Sequence, residues 1–100
     1  MLRGEEGIVQ YKKNIIETIL KYLPAANLYL FGSRAKGKHH ETSDIDIAID
    51  NKTKIEKKIV CQLKNSIDSL NIPYTIDIVD FNNVSEILKK QIEKDKISWN

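Results

Sequence analysis

This sequence has one cysteine, Cys61, so it can form no internal disulfide and its core must hold without covalent bridges, as in a reducing compartment. It also lacks any apolar run approaching the ~20 residues that span a bilayer, and its opening residues Met1-Leu2-Arg3-Gly4-Glu5-Glu6 are too acidic and polar for a secretory signal. These absences point to a cytoplasmic protein with no membrane segment. An excess of charge of one sign is missing too: sixteen Lys and Arg stand against fourteen Asp and Glu, a net +2. So balanced a chain is no electrostatic trap for nucleic acid, and any polyanion it handles must be met locally. Nor is there material for two cores. The 100 residues, 41% hydrophobic and 30% charged, make one domain spanning residues 1–100, too small for a deep enclosed pocket. An active site here would be an open groove.

What is present is a clear succession of patterns. Ile8, Tyr11, Ile15, Ile16, Ile19, Leu20 and Leu23 recur at three- and four-residue spacing, predicting an amphipathic helix over about residues 5–22 that stops before Pro24. The short apolar run Leu28-Tyr29-Leu30-Phe31 reads as a strand ended by Gly32, after which residues 32–43 turn small and polar, with room for one helical turn. Ser43-Asp44-Ile45-Asp46-Ile47-Ala48-Ile49-Asp50 then alternates strictly, so Ile45, Ile47 and Ile49 share one face of a strand and Asp44, Asp46 and Ala48 the other. Residues 52–70 carry Ile55, Ile59, Val60, Leu63, Ile67 and Leu70 at helical spacing, and Asn71 and Pro73 lead into a β-rich run over residues 74–80. A last helix over about residues 84–94 uses Val84, Ile87, Leu88 and Ile92. With no repeat, linker or low-complexity segment, this order predicts an α/β domain built on one small mixed sheet flanked by helices.

Three aspartates stand where strands do not favour them. Asp44 and Asp46 sit in succession on one strand face, a costly pairing of like charges unless a cation lies between them. Asp77 falls between Ile76 and Ile78 in the middle of another β-rich run. Upstream, Gly32-Ser33 follows an apolar strand at the start of a helical turn, where free backbone N–H groups favour a phosphate. A phosphate cradle beside a carboxylate cluster suits Mg2+, a hard cation that takes oxygen ligands and bridges to substrate phosphates. The chemistry implied is phosphoryl or nucleotidyl transfer, with two ions stabilising the attacking and leaving oxygens.

Gly32-Ser33, ten intervening residues, Asp44-Ile45-Asp46 and a later strand Asp77 resemble the signature of the nucleotidyltransferase superfamily that includes DNA polymerase beta. The fuller strings Phe31-Gly32-Ser33-Arg34-Ala35-Lys36-Gly37 and residues 43–49 are most similar to the minimal nucleotidyltransferases of the MntA-like antitoxin type. The resemblance implies the polymerase beta-like fold, Asp44, Asp46 and Asp77 as metal-binding catalytic residues, and Asp77 helping to activate the attacking hydroxyl. It implies that Gly32 and Ser33 hold the phosphates of ATP and that Arg34 neutralises phosphate charge, a solvated surface role being the other reading of Arg34. It further implies AMP transfer to a tyrosine of a HEPN-domain ribonuclease toxin, as the antitoxin of a type VII-like pair. Larger relatives carry an added helical domain for the acceptor, so the acceptor site here is expected on another protein or on a second copy of the chain. Ile97 and Trp99, which would otherwise expose apolar surface, point the same way. The other readings are a binding antitoxin that occludes its toxin without catalysis, and transfer to a small molecule or RNA.

The remaining features read more plainly. His39-His40-Glu41 is a solvated loop rather than a metal site, and Lys52, Lys54, Lys57, Lys58 and Lys64 are a solvated basic face. Asp80 has the wrong parity to join Asp77, Asp50 suits an N-cap ahead of Lys52, and Cys61 is expected to pack. Tyr29, Phe31 and Tyr74 belong to the core or its rim.

Overall fold

The structure, a computed structural model, describes residues 7–37 and 44–100. It is the α/β arrangement that the patterns predict. Helix α1 (Val9–Tyr22) leads to strands β1 (Asn27–Phe31) and β2 (Ile45–Asp50), helix α2 (Lys57–Asp68), strand β3 (Ile76–Asp80), helix α3 (Glu86–Asp95) and a short strand β4 (Ile97–Ser98). The sheet runs β3-β2-β1-β4 and is mixed. β1 lies antiparallel to β2 and β4, whereas β2 and β3 are parallel, a pairing that requires a crossover, which α2 supplies.

Alternation divides the hydrophobic residues between two faces. Leu28, Leu30, Ile45, Ile47, Ile49 and Ile78 turn to one side and pack with Ile15 and Ile19 of α1 and Leu63 and Ile67 of α2. Phe31, Ala48 and Phe81 turn to the other and pack with Ile92 of α3. Asp46 and Asp77 have the parity of this second face. α3 starts on a serviceable cap, with the Leu88 N–H donating to Ser85 Oγ at 3.2 Å. Ser85→Ala is expected to destabilise the domain by about 1 kcal/mol, read as a lower denaturation midpoint at unchanged slope.

Five expectations need correction, the first being that Ile87, expected on the apolar stripe of the last helix, is 85% exposed. α2 begins at Lys57 rather than near residue 52. The backbone before it is spent elsewhere: Lys52 has φ +68°, its N–H donates to Asp50 Oδ1 at 2.9 Å, and the Ile55 N–H donates to Asp80 Oδ2 at 2.7 Å. Asp50 thus caps a turn, not a helix. Trp99 is 3% exposed and belongs to the main core, because β4 pairs on the free edge of β1 with Leu30 opposite Ile97. These residues expose no apolar surface that asks for a partner. Cys61, expected to pack, is exposed. The basic lysines of residues 52–64 are exposed as expected. The expected start of the first helix at residue 5, like His39-His40-Glu41 and Ser43, lies outside the described residues.

Candidate active site

The site is assembled by strand register. In the parallel pair, Asp46 lies opposite Asp77, and across the antiparallel pair Asp46 lies opposite Phe31. Parallel partners share a face, so both carboxylates stand side by side on the second face, at the end of the sheet where β1 delivers the chain to Gly32.

The turn after β1 closes on helical hydrogen bonds: the Lys36 N–H donates to Gly32 O at 3.2 Å and the Gly37 N–H to Arg34 O at 3.3 Å. Gly32 adopts φ +77°, a left-handed conformation that costs side-chain-bearing residues dearly. Space excludes a side chain as well. A Cβ on Gly32 would run into Asp46 Oδ2 and lie 3.2 Å from its Cγ. The turn therefore rests directly on the carboxylate, with Ser33 half-buried beside it.

Burial pushes the half-buried Asp46 carboxyl up to about 6, with Asp77 and then Asp44 adding like-charge repulsion and Arg34 opposing them. Asp44 is exposed and lies just ahead of β2. Among the described residues no three His, Cys, Asp or Glu side chains are already gathered tightly enough to hold a metal ion. Asp46 nonetheless feels like-charge repulsion from Asp77 and Asp44, and oxygen donors under repulsion suit a hard divalent cation. The residues present fit Mg2+.

Arg34 is not a surface residue. It is 1% exposed, with its guanidinium carbon 5.1 Å from the centre of the Tyr74 ring. Tyr74 in turn meets Tyr11 edge-on with centroids 6.0 Å apart, and its hydroxyl donates to Gly7 O at 3.3 Å. Asp80 points away, as its parity requires, accepting from the N–H groups of Ile55 and of Asn82, the latter at 3.0 Å. Burial works against the charge on Asp50, but the Asn82 amide, the Lys52 N–H and the ammoniums of Lys96 and Lys89 outweigh it and hold this carboxyl below its usual range.

The family model described as polymerase beta, nucleotidyltransferase matches residues 13–98. The chain belongs to this family. The nucleotidyltransferase is 33% identical over 81 residues to a protein of Haemophilus influenzae that carries the name MntA, covering 80% of this chain and 71% of that one. It is 33% identical over 88 residues to the protein adenylyltransferase MntA of Shewanella oneidensis, covering 81% of this chain and 58% of the relative. Among solved structures, a toxin-antitoxin with AMP-PNP matches with a TM-score of 0.75 at 27% identity, over 89% of this nucleotidyltransferase and 72% of that chain. No helix among its described residues is long and apolar enough to cross a membrane.

One contact at the site escaped the reading of the nucleotidyltransferase's sequence. Lys36 pairs with Asp95 at 3.3 Å. The available signal was an acid at the C-terminal end of the helix predicted over about residues 84–94, where the dipole disfavours it.

Proposed function

We propose that the protein is a Mg2+-dependent nucleotidyltransferase that moves AMP from ATP onto a tyrosine hydroxyl of a HEPN-family ribonuclease and so serves as the antitoxin of a type VII-like pair. The observation that carries this reading is the register that sets Asp46 against Asp77 with the Gly32 turn seated on the same carboxylate. The adenylyltransferase name of the Shewanella relative and the toxin-antitoxin bound to AMP-PNP support the donor and the kind of partner.

In this reading Asp44, Asp46 and Asp77 hold the metal. Bound Mg2+, two ions by the family resemblance, supplies charge neutralisation at the transferring phosphoryl group. The Gly32 and Ser33 N–H groups and the Ser33 hydroxyl bind the β- and γ-phosphates, which Gly32 allows to approach because it has no side chain. Arg34 contributes positive potential from beneath the turn, since its guanidinium is buried against Tyr74. Asp77, exposed on the site face, takes the proton of the attacking hydroxyl. The hydroxyl oxygen bonds to the α-phosphorus, the bond to the β-phosphate bridging oxygen breaks, and pyrophosphate leaves.

The test is incubation with α-labelled ATP, Mg2+ and a co-purifying HEPN-type ribonuclease. Label is expected on a tyrosine of the ribonuclease and is expected to vanish with the Asp44→Asn, Asp46→Asn double variant. Inhibited but unlabelled ribonuclease would replace this reading with simple occlusion, and label on RNA or a small molecule would reassign the acceptor.

A further inference from the structure

The turn over residues 32–37 is tied to the far end of α3 by one long-range ion pair. Lys36 Nζ lies 3.3 Å from Asp95 Oδ2, with the Asp95 side chain only 10% exposed against 42% for Lys36. The same oxygen accepts a hydrogen bond from Gln91 Nε2 at 2.7 Å. The carboxylate is thus held from within its own helix, one turn back, while Lys36 reaches it from the turn.

Asp95 is an unfavourable choice for its place. It closes α3, where unsatisfied carbonyls leave partial negative charge and acids are disfavoured. Its neighbours in sequence hold it only in part, through the Gln91 amide and the charge of Lys94. Lys96 is drawn over the rings of Tyr29, at 4.5 Å, and Phe81, at 5.8 Å, and Lys94 is exposed. Lys36, fifty-nine positions away, makes the ion pair instead. Its own backbone is fixed by the bond from its N–H to Gly32 O. A continuous path therefore runs from the Gly32 carbonyl through Lys36 to α3, and α3 is anchored by Ile92 in the cluster that contains Phe31.

An ion pair with one partner this exposed contributes little to global stability. Its effect is local, on the pose of a turn that contains two glycines and whose buried anchor is Arg34. We propose that Asp95 is a positioning residue for nucleotide binding, holding the turn through Lys36 in the pose in which the Gly32 and Ser33 N–H groups receive phosphate. This rests on the nucleotidyltransferase reading above.

The experiment uses the full chain with MgATP as the probe, measuring affinity by titration and amide hydrogen exchange in the nucleotide-free protein. Asp95→Asn is expected to weaken MgATP binding roughly fivefold and to speed exchange at the Lys36 and Gly37 amides but not in the β2–β3 ladder. Asp95→Glu is expected to restore most of the lost affinity, and Asp95→Asn is expected to add nothing on a Lys36→Met background. If wild-type protein binds MgATP and Asp95→Asn binds it equally, or if exchange at the two amides is unchanged, this inference alone is overturned. If wild-type protein binds no MgATP, the functional reading fails and the inference with it.

Discussion

Asp46→Asn is expected to cut nucleotidyl transfer severely and to raise the melting temperature of the metal-free protein. The two effects share one cause. The carboxylate is pushed up to about 6 by burial and by its acidic neighbours, so the fold holds it ionised at neutral pH against an unfavourable environment. A shift of that size corresponds to at most about 3 kcal/mol, and solvent screening of a half-exposed group brings the net to about 1 kcal/mol. For a domain this small, Asn should raise the midpoint by about 5 °C. Transfer should fall on the order of a thousandfold, because the preorganised charge at the site is gone.

The sign of the pH dependence follows by linkage. The folded carboxyl binds its proton more tightly than the unfolded one, so the penalty is fully present above about pH 6 and is relieved as pH falls toward 4. Thermal melts in EDTA should therefore show the advantage of Asn at pH 7 shrinking toward pH 4. Equal melting temperatures for the two proteins at pH 7 would mean that neither burial nor the acidic neighbours penalise the Asp46 carboxylate in the fold.

Gly32→Ala carries the second large effect. At φ +77° an alanine strains the backbone by about 1–2 kcal/mol, and its Cβ would collide with Asp46 Oδ2. Relief requires the turn to lift or the carboxylate to move, and a displacement of about 1 Å at a reacting centre can cost on the order of a hundredfold in rate. The strain and the collision are separable. On an Asp46→Ala background the collision disappears and only the backbone strain remains, so Gly32→Ala should destabilise that variant less than it destabilises the wild type. Identical costs in both backgrounds, measured by urea unfolding, would show that the turn does not press on Asp46.

The parts of this molecule that could be read from its sequence are those in which one local rule decides the outcome. Strict alternation over residues 44–50 determined a strand, its two faces and the side that carries the carboxylates, and β3 followed by the same rule. Elements decided by distant partners were not legible. The first turn of the expected second helix is diverted because Asp80, from another strand, takes the Ile55 N–H. β4 is two residues long and has no pattern of its own; it exists because β1 offers an open edge and the core has room for Trp99. Arg34 looked equally suited to solvent, whereas the structure buries it with its guanidinium over the Tyr74 ring. Of the candidate site, Gly32, Asp46 and Asp77, which the structure brings together, were singled out from residue type and position. The tether from Lys36 to Asp95 was not, since nothing local links residues so far apart.

The parallel pairing of β2 and β3 also acts as an alignment jig. Ile45, Ile47 and Ile49 face the main core together with Ile78, so the isoleucines on either side of Asp77 set where it comes to rest. A slip of one residue would turn Asp77 into that apolar layer and bring an isoleucine up beside Asp46. Such a chain would lose both its core and its paired carboxylates at once. A misregistered molecule is thus both unstable and inactive, and the hydrophobic residues that never touch a nucleotide enforce the fidelity of the acidic ones that would.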